Sequence, residues 1–443
     1  MRNRIIRLLL IAVSAIMPQL LLAQTNTINT FSSYSMYGLG ELQTQGTILT
    51  RSMGGAGVAL RSRTAINLLN PASYSIALRK GILFDFALEG GNYLANQEIN
   101  GQRYKSTYAT ANIHDIAVQV PIAKGLGFGV SVTPFSSAGY YQVSSEVTDS
   151  FDFVQFVNDG SGDVAEIKLG VGWEIAKGFS IGLAAQYYWG DLDRAFSSVI
   201  INFLTPGTSV AAAGVDNISV SKIKGQLGAQ WIPIETEERQ LVLGATFDIG
   251  GDLTPRHARV VTATSGYTTV YAQSDTTRMS LVLPRQLEFG ASYTNDKFMF
   301  AADYSFQNWG SVNDDVELTT SGMTVAYNNV HQVRLGVEYI PRRIDVRKYM
   351  NRVGYRAGFR YGGYQYTYEG EKISQMALTA GMGFPINMIG ISKIELGFEW
   401  GRVGSKKYIE SLNVGLVQEN HLKFSLGFTL FGDDYWFQRQ QID

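Results

Sequence analysis

Side chains that commonly carry chemistry are widely spread along this chain. The four histidines stand far apart: His114, His257, His331 and His421. No two of them have the spacing of a metal-ligand pair. Asp191 and Asp193 form an Asp-x-Asp pair, but the other ligands of a calcium loop are missing. No Gly-x-Ser-x-Gly nucleophile motif is present. The sequence therefore predicts neither an enzyme nor a bound metal or cofactor.

A second set of charged residues falls at alternating positions inside apolar segments. Its members are Glu174, Glu288, Asp303, Arg334, Glu338, Arg360, Glu395 and Glu399. We expect them to form a solvated lining of ion pairs. The alternative is that they bind a ligand head group or hold a plug in place. Arg334 and Arg360 are then the best candidates for a ligand carboxylate, because arginine binds carboxylates bidentately.

The segments that must position these charges alternate strictly between apolar and polar residues. In "KIELGFEWGR" (393–402), for example, Glu395, Gly397 and Glu399 share one face and apolar side chains form the other. Period two predicts strands with two different faces. About fourteen segments have this pattern, an even number in the range of bacterial outer-membrane barrels. Their approximate bounds are 81–93, 107–121, 125–135, 165–176, 179–190, 218–233, 240–250, 284–294, 298–309, 332–340, 355–367, 374–385, 392–402 and 421–431.

The composition of the two faces favours a membrane barrel over a soluble β-sandwich. The polar face is mainly Gly, Ser, Thr and Gln, and the other face is Leu, Phe and Tyr. Aromatic residues near strand ends suit an interfacial girdle; they are Tyr187, Trp189, Trp309, Tyr339 and Trp400. We predict an all-β fold: a transmembrane antiparallel β-barrel of about 14 strands with an N-terminal hatch in its lumen. The polar stretches at 136–163, 191–217, 251–283 and 310–330 are predicted to be surface loops.

The N-terminus and the overall charge indicate export. The opening residues, "MRNRIIRLLLIAVSAIMPQLLLAQ", resemble a secretory signal peptide cleaved after Ala23, with a membrane anchor as the alternative. The chain has 443 residues and no cysteine, which excludes lipoprotein attachment and disulfides. Its 37 Lys and Arg nearly balance its 38 Asp and Glu, so no basic field favours nucleic acid. The predicted organisation is a signal peptide at 1–23, a hatch at 24–80, a barrel at 81–431 and a tail at 432–443.

Two motifs lie in the predicted hatch. "SMGGAGVAL" contains Gly54, Gly55 and Gly57, which we expect to pack closely against the barrel wall. "INLLNPASYS" contains Asn70, Pro71 and Ala72. Asn70 is predicted to hydrogen-bond backbone groups inside the lumen. The alternative is an ordinary turn, in which Pro presets φ and Asn bonds its own backbone.

These hatch motifs and a second block together resemble the FadL/TodX family of outer-membrane transporters. The block is "LVLPRQLEFGASYTNDKFMFAADYSFQNWGSV" (281–312). Its matching positions are Leu283, Pro284, Gly290, Ser292, Tyr293, Asp303, Tyr304 and Trp309. The resemblance implies a fourteen-stranded barrel plugged by its N-terminus. It also implies passive uptake of fatty-acid-like or hydrocarbon molecules through the hatch, with lateral exit at a kinked or gapped strand near 107–135.

Two departures from that family raise a second function. The chain continues past its last strand as "GDDYWFQRQQID", and the best candidate for an apolar surface loop, 199–215, is only weakly apolar. The alternative is a non-transporting FadL-like barrel that serves as a subunit of an outer-membrane protein secretion or assembly complex. Expected partners are membrane lipids, a hydrophobic ligand, the barrel assembly machinery and other outer-membrane proteins. The last strand carries the predicted assembly signal, Phe424, Leu426, Phe428 and Phe431.

Overall fold

The computed structural model describes most of the chain from Thr30 to Gly432. The described ranges are 30–77, 81–99, 101–147, 152–202, 210–265, 268–313, 315–316, 324–345, 347–386, 392–409 and 414–432. The predicted signal peptide and the C-terminal tail from 433 onward lie outside the described residues. No helix in the described part of the chain is long and apolar enough to span a bilayer.

Fourteen long antiparallel strands form the wall of a closed barrel. They are β1 (Ile82–Ile99), β2 (Gln102–Ala123), β3 (Leu126–Val147), β4 (Asp152–Ala176), β5 (Phe179–Asn202), β6 (Val210–Glu235), β7 (Gln240–Asp248), β8 (Gln286–Thr294), β9 (Phe298–Gln307), β10 (Val330–Tyr339), β11 (Gly354–Tyr368), β12 (Glu371–Ile386), β13 (Ser392–Gly404) and β14 (Gln418–Gly432). Consecutive strands pair along the chain, and β14 pairs with β1 from Gly432↔Ile82 to Gln418↔Asn96. The predicted all-β fold is confirmed, and every strand overlaps a predicted alternating segment.

Shorter elements complete the chain. The hatch contains 3-10 helices at Ser33–Met36 and Pro71–Ile76, a two-residue strand at Glu41–Leu42 and one helical turn at Ile48–Arg51. Two more 3-10 helices lie at Trp309–Ser311 and Tyr349–Arg352. The remaining strands are Gly251–Asp252, Arg256–Ser265, Thr268–Arg278, Val282–Leu283, Val325–Tyr327, Tyr408–Ile409 and Val414–Gly415.

Much of the sequence predicted to be surface loops is instead strand. Strands β3 to β6 have 22, 25, 24 and 26 residues, whereas about 9–11 residues suffice to span a bilayer. Their far ends pair with one another, and Arg256–Ser265 pairs with both β6 and Thr268–Arg278. We call this extension the projecting wall: 136–147, 152–163, 191–202, 210–219, 256–265 and 268–278. The projecting wall exceeds the length needed to span a bilayer, and its sequence lacks the apolar and polar alternation that identified the lower strands.

Alternation in the lower barrel separates a lipid face from a lumen face. On β5, Ser180 and Gln186 are buried inside the barrel, while Ile181 and Leu183 are 40% and 60% exposed on the outside. Charges accordingly face inward, because a charge in the lipid midplane costs about 2–4 kcal/mol. Tyr187 and Trp189 face outward and are exposed, as a girdle requires, and their place at a membrane interface stays a prediction.

Trp309 was wrongly assigned to the girdle. Its side chain is 3% exposed and stacks on Tyr327 with ring centroids 5.5 Å apart. The chain leaves β9 at this point and turns into a 3-10 helix, so strand alternation no longer sets the side-chain direction.

Phe431 also points the other way from the residues grouped with it. Phe424 is 59% exposed on the outer face of β14, whereas Phe431 is 6% exposed. Phe431 packs in a core that contains Ile66, Leu68 and Tyr74 of the hatch. Phe431 comes seven positions after Phe424, an odd offset, so the two lie on opposite faces of the strand. Whether the other three residues act as an assembly signal remains a prediction.

Candidate functional site: the hatch and the barrel lumen

A ring of glycines on the inner wall lets the hatch backbone approach the barrel closely. The ring includes residues on eleven of the fourteen strands: Gly127, Gly129, Gly170, Gly172, Gly182, Gly228, Gly244, Gly290, Gly336, Gly358, Gly381, Gly397 and Gly427. A Cβ at any of these positions would lie within 3.2 Å of a hatch atom. We call this ring the glycine collar. It holds residues 48–77 around most of the barrel circumference.

The Asn-Pro-Ala turn lies inside the collar and joins hatch to wall. Asn70 is fully buried, and its Oδ1 accepts a hydrogen bond from Ala72 N at 3.0 Å, which caps the 3-10 helix Pro71–Ile76. Its Nδ2 donates to the carbonyl of Val58 at 3.0 Å and to that of Ala229 on β6 at 3.1 Å. The side chain thus combines the two roles considered from the sequence: it bonds its own backbone and a lumen carbonyl.

The glycine-rich hatch segment binds the block of β8 and β9 that carried the family resemblance. Asp303 Oδ2 accepts hydrogen bonds from Gly57 N at 2.6 Å and Val58 N at 2.9 Å. Ser292 donates its hydroxyl to the carbonyl of Ala59 at 2.8 Å. Gly290 stands beside them, where a Cβ would lie 2.4 Å from Asp303 Oδ1. Three of the positions that match the FadL/TodX family, Gly290, Ser292 and Asp303, therefore all contact residues 57–59 of the hatch.

Gly54 and Gly55 make the sharpest approach in this segment. Their φ angles are +72° and +83°, a region that glycine adopts at little cost. A Cβ on Gly54 would lie 2.6 Å from the carbonyl oxygen of Phe359 on β11. Gly54 N also donates to Thr379 Oγ1 at 2.8 Å. Their geometry agrees with close packing against the wall.

The predicted inward charges lie in the lumen, and apart from Asp303, which binds the hatch backbone, most of them form ion pairs with other wall residues. Glu288 pairs with Arg334, and Glu399 pairs with Arg360 at 2.8 Å. Glu338 and Glu395 both pair with Arg356, which lies two residues before Gly358 on the inner face of β11. Glu174 is the exception, because it lies close to the turn between β4 and β5. Its side chain is 31% exposed and is 3.8 Å from Arg61.

Sequence reasoning overlooked several members of this network. They are Arg51, Glu89, Asp115, Glu166, Lys168, Arg356 and Lys423. Arg51 of the hatch contacts Glu89 on β1, which also pairs with Lys423 on β14 at 3.2 Å. Arg356 could have been found, because it shares the period-two face of Arg360. Arg51 could not, since the hatch has no alternation to indicate which side chains face the wall.

A cavity of about 180 Å³ lies in the lumen, lined by hatch residues 41–45 and by the barrel wall. Its lining includes Glu166, Lys168, Asp248, Glu288, Arg334 and Arg360. The two arginines singled out for a ligand carboxylate thus border this cavity, but each already has a glutamate partner from the barrel. The lining also contains apolar side chains, among them Leu42, Phe135 and Leu283.

A cluster of tyrosines covers the lumen at the end of the barrel away from the β2–β3, β4–β5 and β8–β9 turns. Tyr34 and Tyr37 of the hatch pack with Tyr364, Tyr366 and Tyr368 of β11. Ring centroids of Tyr34 and Tyr364 lie 5.5 Å apart, and those of Tyr37 and Tyr366 lie 5.6 Å apart. The three β11 side chains point inward at every second position, as strand geometry requires.

The wall is incomplete between β2 and β3. Their pairing runs from Ala123↔Leu126 to Ile116↔Val132, and among the described residues the strands are unpaired with each other beyond that point. This seam overlaps the segment predicted to be kinked or gapped, 107–135, at residues 107–115 and 133–135. The hatch residues 30–45, which we call the strap, occupy it.

The strap is hydrogen-bonded to the free edge of β3. Glu41 and Leu42 pair as a strand with Ser137 and Ser136. Ser32 N donates to the carbonyl of Gly139 at 2.7 Å, and Gln43 N donates to that of Phe135 at 2.9 Å. On the other side, Phe31 stacks on Tyr108 of β2 with centroids 4.2 Å apart. The chain therefore fills its own seam.

The architecture described so far defines a class: an outer-membrane β-barrel of the FadL type, closed by an N-terminal hatch. The Pseudomonas putida toluene transporter TodX matches with a TM-score of 0.57 at 18% identity, over 88% of this chain and 99% of that one. A Pseudomonas aeruginosa FadL homologue matches with 0.61 at 13% identity, over 89% and 99%. The CymD monoaromatic hydrocarbon channel matches with 0.55 at 16% identity, over 87% and 97%. None of the curated proteins is similar to this chain.

The family is given by the sequence itself. The model of the BamG family matches residues 5–443, so the chain belongs to that family. The predicted FadL-type barrel is thus confirmed as a fold, while the family is BamG. The prediction of a non-enzyme agrees with TodX and CymD, which are described as a transporter and a channel.

Proposed function

We propose that this protein is a permanently plugged outer-membrane barrel that serves as a structural subunit of an outer-membrane protein assembly complex. The observation that carries the proposal is a lumen occupied by the hatch and crossed by buried ion pairs. A hydrophobic solute gains about 0.8 kcal/mol per CH₂ only where it meets apolar surface. Here the solute would meet buried ion pairs such as Arg356 with Glu338 and Glu395. Separating such pairs leaves uncompensated buried charges, which costs about 3–5 kcal/mol.

The hatch contacts support a fixed plug. Movement of the hatch would break the Asp303 and Asn70 hydrogen bonds and the Arg51 ion pair with Glu89. It would also separate the close contacts at the glycine collar. The family description, BamG, points in the same direction, because its name indicates an assembly role.

Affinity purification in mild detergent tests this proposal. The protein, carrying an affinity tag, is expressed in its own host and recovered, and both bound proteins and bound lipids are identified by mass spectrometry. We expect other outer-membrane proteins in stoichiometric amounts and no fatty acid above the level of an unrelated barrel. Recovery of the protein alone, with a hydrophobic ligand in its lumen, would contradict the proposal.

The second candidate is passive uptake of hydrophobic molecules, with lateral exit through the wall. The seam between β2 and β3 favours it, since Ile113 beside the seam is 53% exposed toward the lipid. TodX and CymD, which share the fold, are described as handling toluene and monoaromatic hydrocarbons. Under this function, cells that lack the protein would take up labelled toluene or oleate more slowly. Equal uptake with and without the protein would leave the assembly role as the better account.

A further inference from the structure

The projecting wall has two lateral edges, which differ in their strand pairing. One edge belongs to β3, where the strap pairs with Ser136 and Ser137 and bonds Phe135 and Gly139. The other edge is Thr268–Arg278, which pairs with Arg256–Ser265 on one side. Within the described residues it pairs with no second strand. Within the described residues, the strap thus covers the β3 edge from Phe135 to Gly139, whereas the outer side of Thr268–Arg278 is unpaired.

The open edge has only part of the usual protection of an exposed strand: a β-bulge shifts its register at Val270, and its charges, Asp275 and Arg278, lie in its last four residues. It runs for eleven residues, and every one of them is exposed. From Thr268 to Ser274 it contains no charge and no proline. Proteins normally protect such edges with charges, prolines or bulges, because the unpaired N–H and C=O groups recruit another strand. Val270 and Tyr271 point to opposite faces and are 61% and 49% exposed, so both faces of the edge are accessible.

Two arginines at the Arg278 end of this edge indicate the chemistry of a partner. Arg256 and Arg278 are directly opposite each other in the hairpin, and both are exposed. Like charges at paired positions destabilise a sheet unless a counter-charge is present. The nearby Asp216 is already paired with Arg259 at 2.8 Å and with His257 at 3.1 Å. Among the described residues, neither Arg256 nor Arg278 has a carboxylate within ion-pair distance.

We propose that Thr268–Arg278 is a docking edge for an extended segment of another protein, which adds as a further strand and brings a carboxylate to Arg256 and Arg278. Main-chain hydrogen bonds would provide affinity, and the two arginines would fix the register of the added strand. This inference rests on the proposed assembly role and names the surface through which a partner binds. Lipopolysaccharide phosphates and a second copy of this chain are the competing occupants.

In-cell photo-crosslinking of the full chain tests the docking edge. Val270 is replaced by a photoreactive amino acid, alone and together with Arg278→Glu. Arg103→Glu is the matched control, because Arg103 is also exposed on a strand but lies on β2, away from this edge. We expect one crosslinked protein, which also co-purifies with the unmodified chain. Arg278→Glu should reduce that product at least fivefold, while Arg103→Glu leaves it unchanged.

A charge exchange completes the test. The acidic residue of the captured segment is changed to lysine, and we expect this change to restore crosslinking to the Arg278→Glu chain. Crosslinks only to lipopolysaccharide or to a second copy would overturn the docking edge. The docking edge would also be overturned if partners co-purify but Arg278→Glu changes neither their recovery nor their crosslinking. The assembly role would then stand. If no protein co-purifies at all, the assembly role itself fails.

Discussion

Asp303 on the barrel wall binds Gly57 of the hatch directly, with the carboxylate Oδ2 2.6 Å from the backbone nitrogen. The same oxygen accepts a second hydrogen bond from Val58. A side chain on β9 thus satisfies two backbone donors of a segment nearly 250 residues earlier in the chain. The contact connects the two sequence motifs that carried the family resemblance, and it makes the attachment of the hatch experimentally accessible.

Removal of this carboxylate should loosen the hatch. In Asp303→Ala, two buried N–H groups lose a charged acceptor, which costs about 1.5–3 kcal/mol for a hydrogen bond to a charged group. We expect faster amide hydrogen exchange at residues 55–60. Ser305→Ala is the control, because Ser305 faces the lumen two residues further along the same strand. Unchanged exchange in Asp303→Ala would mean that the glycine collar alone holds this segment.

The glycine collar predicts a sharp difference between two glycines of β11. A Cβ at Gly358 would lie 2.1 Å from Gly54 N, whereas at Gly363 the nearest neighbour is an oxygen 4.0 Å away. Gly358→Ala should displace the hatch and expose it to added protease. Gly363→Ala should behave as the unmodified protein. Equal protease resistance of the two variants would argue against close hatch packing.

The buried charges predict a specific pattern of stability. Arg356→Met leaves Glu338 and Glu395 without their cation and should cost about 3–5 kcal/mol, measured by thermal unfolding in detergent. Adding Glu338→Gln and Glu395→Gln should restore much of that loss, because no unpaired charge remains. Arg342→Met removes an exposed arginine from a loop and serves as the control. A lumen open to bulk water would screen these charges, and Arg356→Met would then have little effect.

Phe431 and Phe424 should respond differently to truncation. Phe431→Ala removes an aromatic side chain from the core shared with Tyr74, and such changes cost about 3–5 kcal/mol. We expect normal insertion into the membrane but a protease-sensitive hatch. Phe424→Ala exchanges one lipid contact for another and should leave the hatch resistant. If Phe431→Ala instead prevents insertion and Phe424→Ala does not, then Phe431 belongs to the assembly signal despite its inward direction.

The strands of the lower barrel were predictable because lipid outside and water inside impose opposite chemistry on alternate residues. That contrast placed all fourteen strands and directed Glu288, Asp303 and Arg334 inward. The same contrast is missing from the sequence of the projecting wall. There, residues such as Ser197 and Thr262 follow no apolar and polar alternation, so the sequence predicts loops where the structure has the long strands of the projecting wall.

The sequence by itself determined the fold class, the inward direction of the wall charges and the place of the Asn-Pro-Ala turn in a hatch. These are local properties, set by period-two alternation and by the φ preferences of Pro and Gly. Only the tertiary structure decided which charges pair, that Asp303 holds Gly57, that the strap fills the seam and that Thr268–Arg278 is an open edge. Each of these relationships joins distant parts of the chain, and their distances depend on how the barrel closes, which no local pattern encodes.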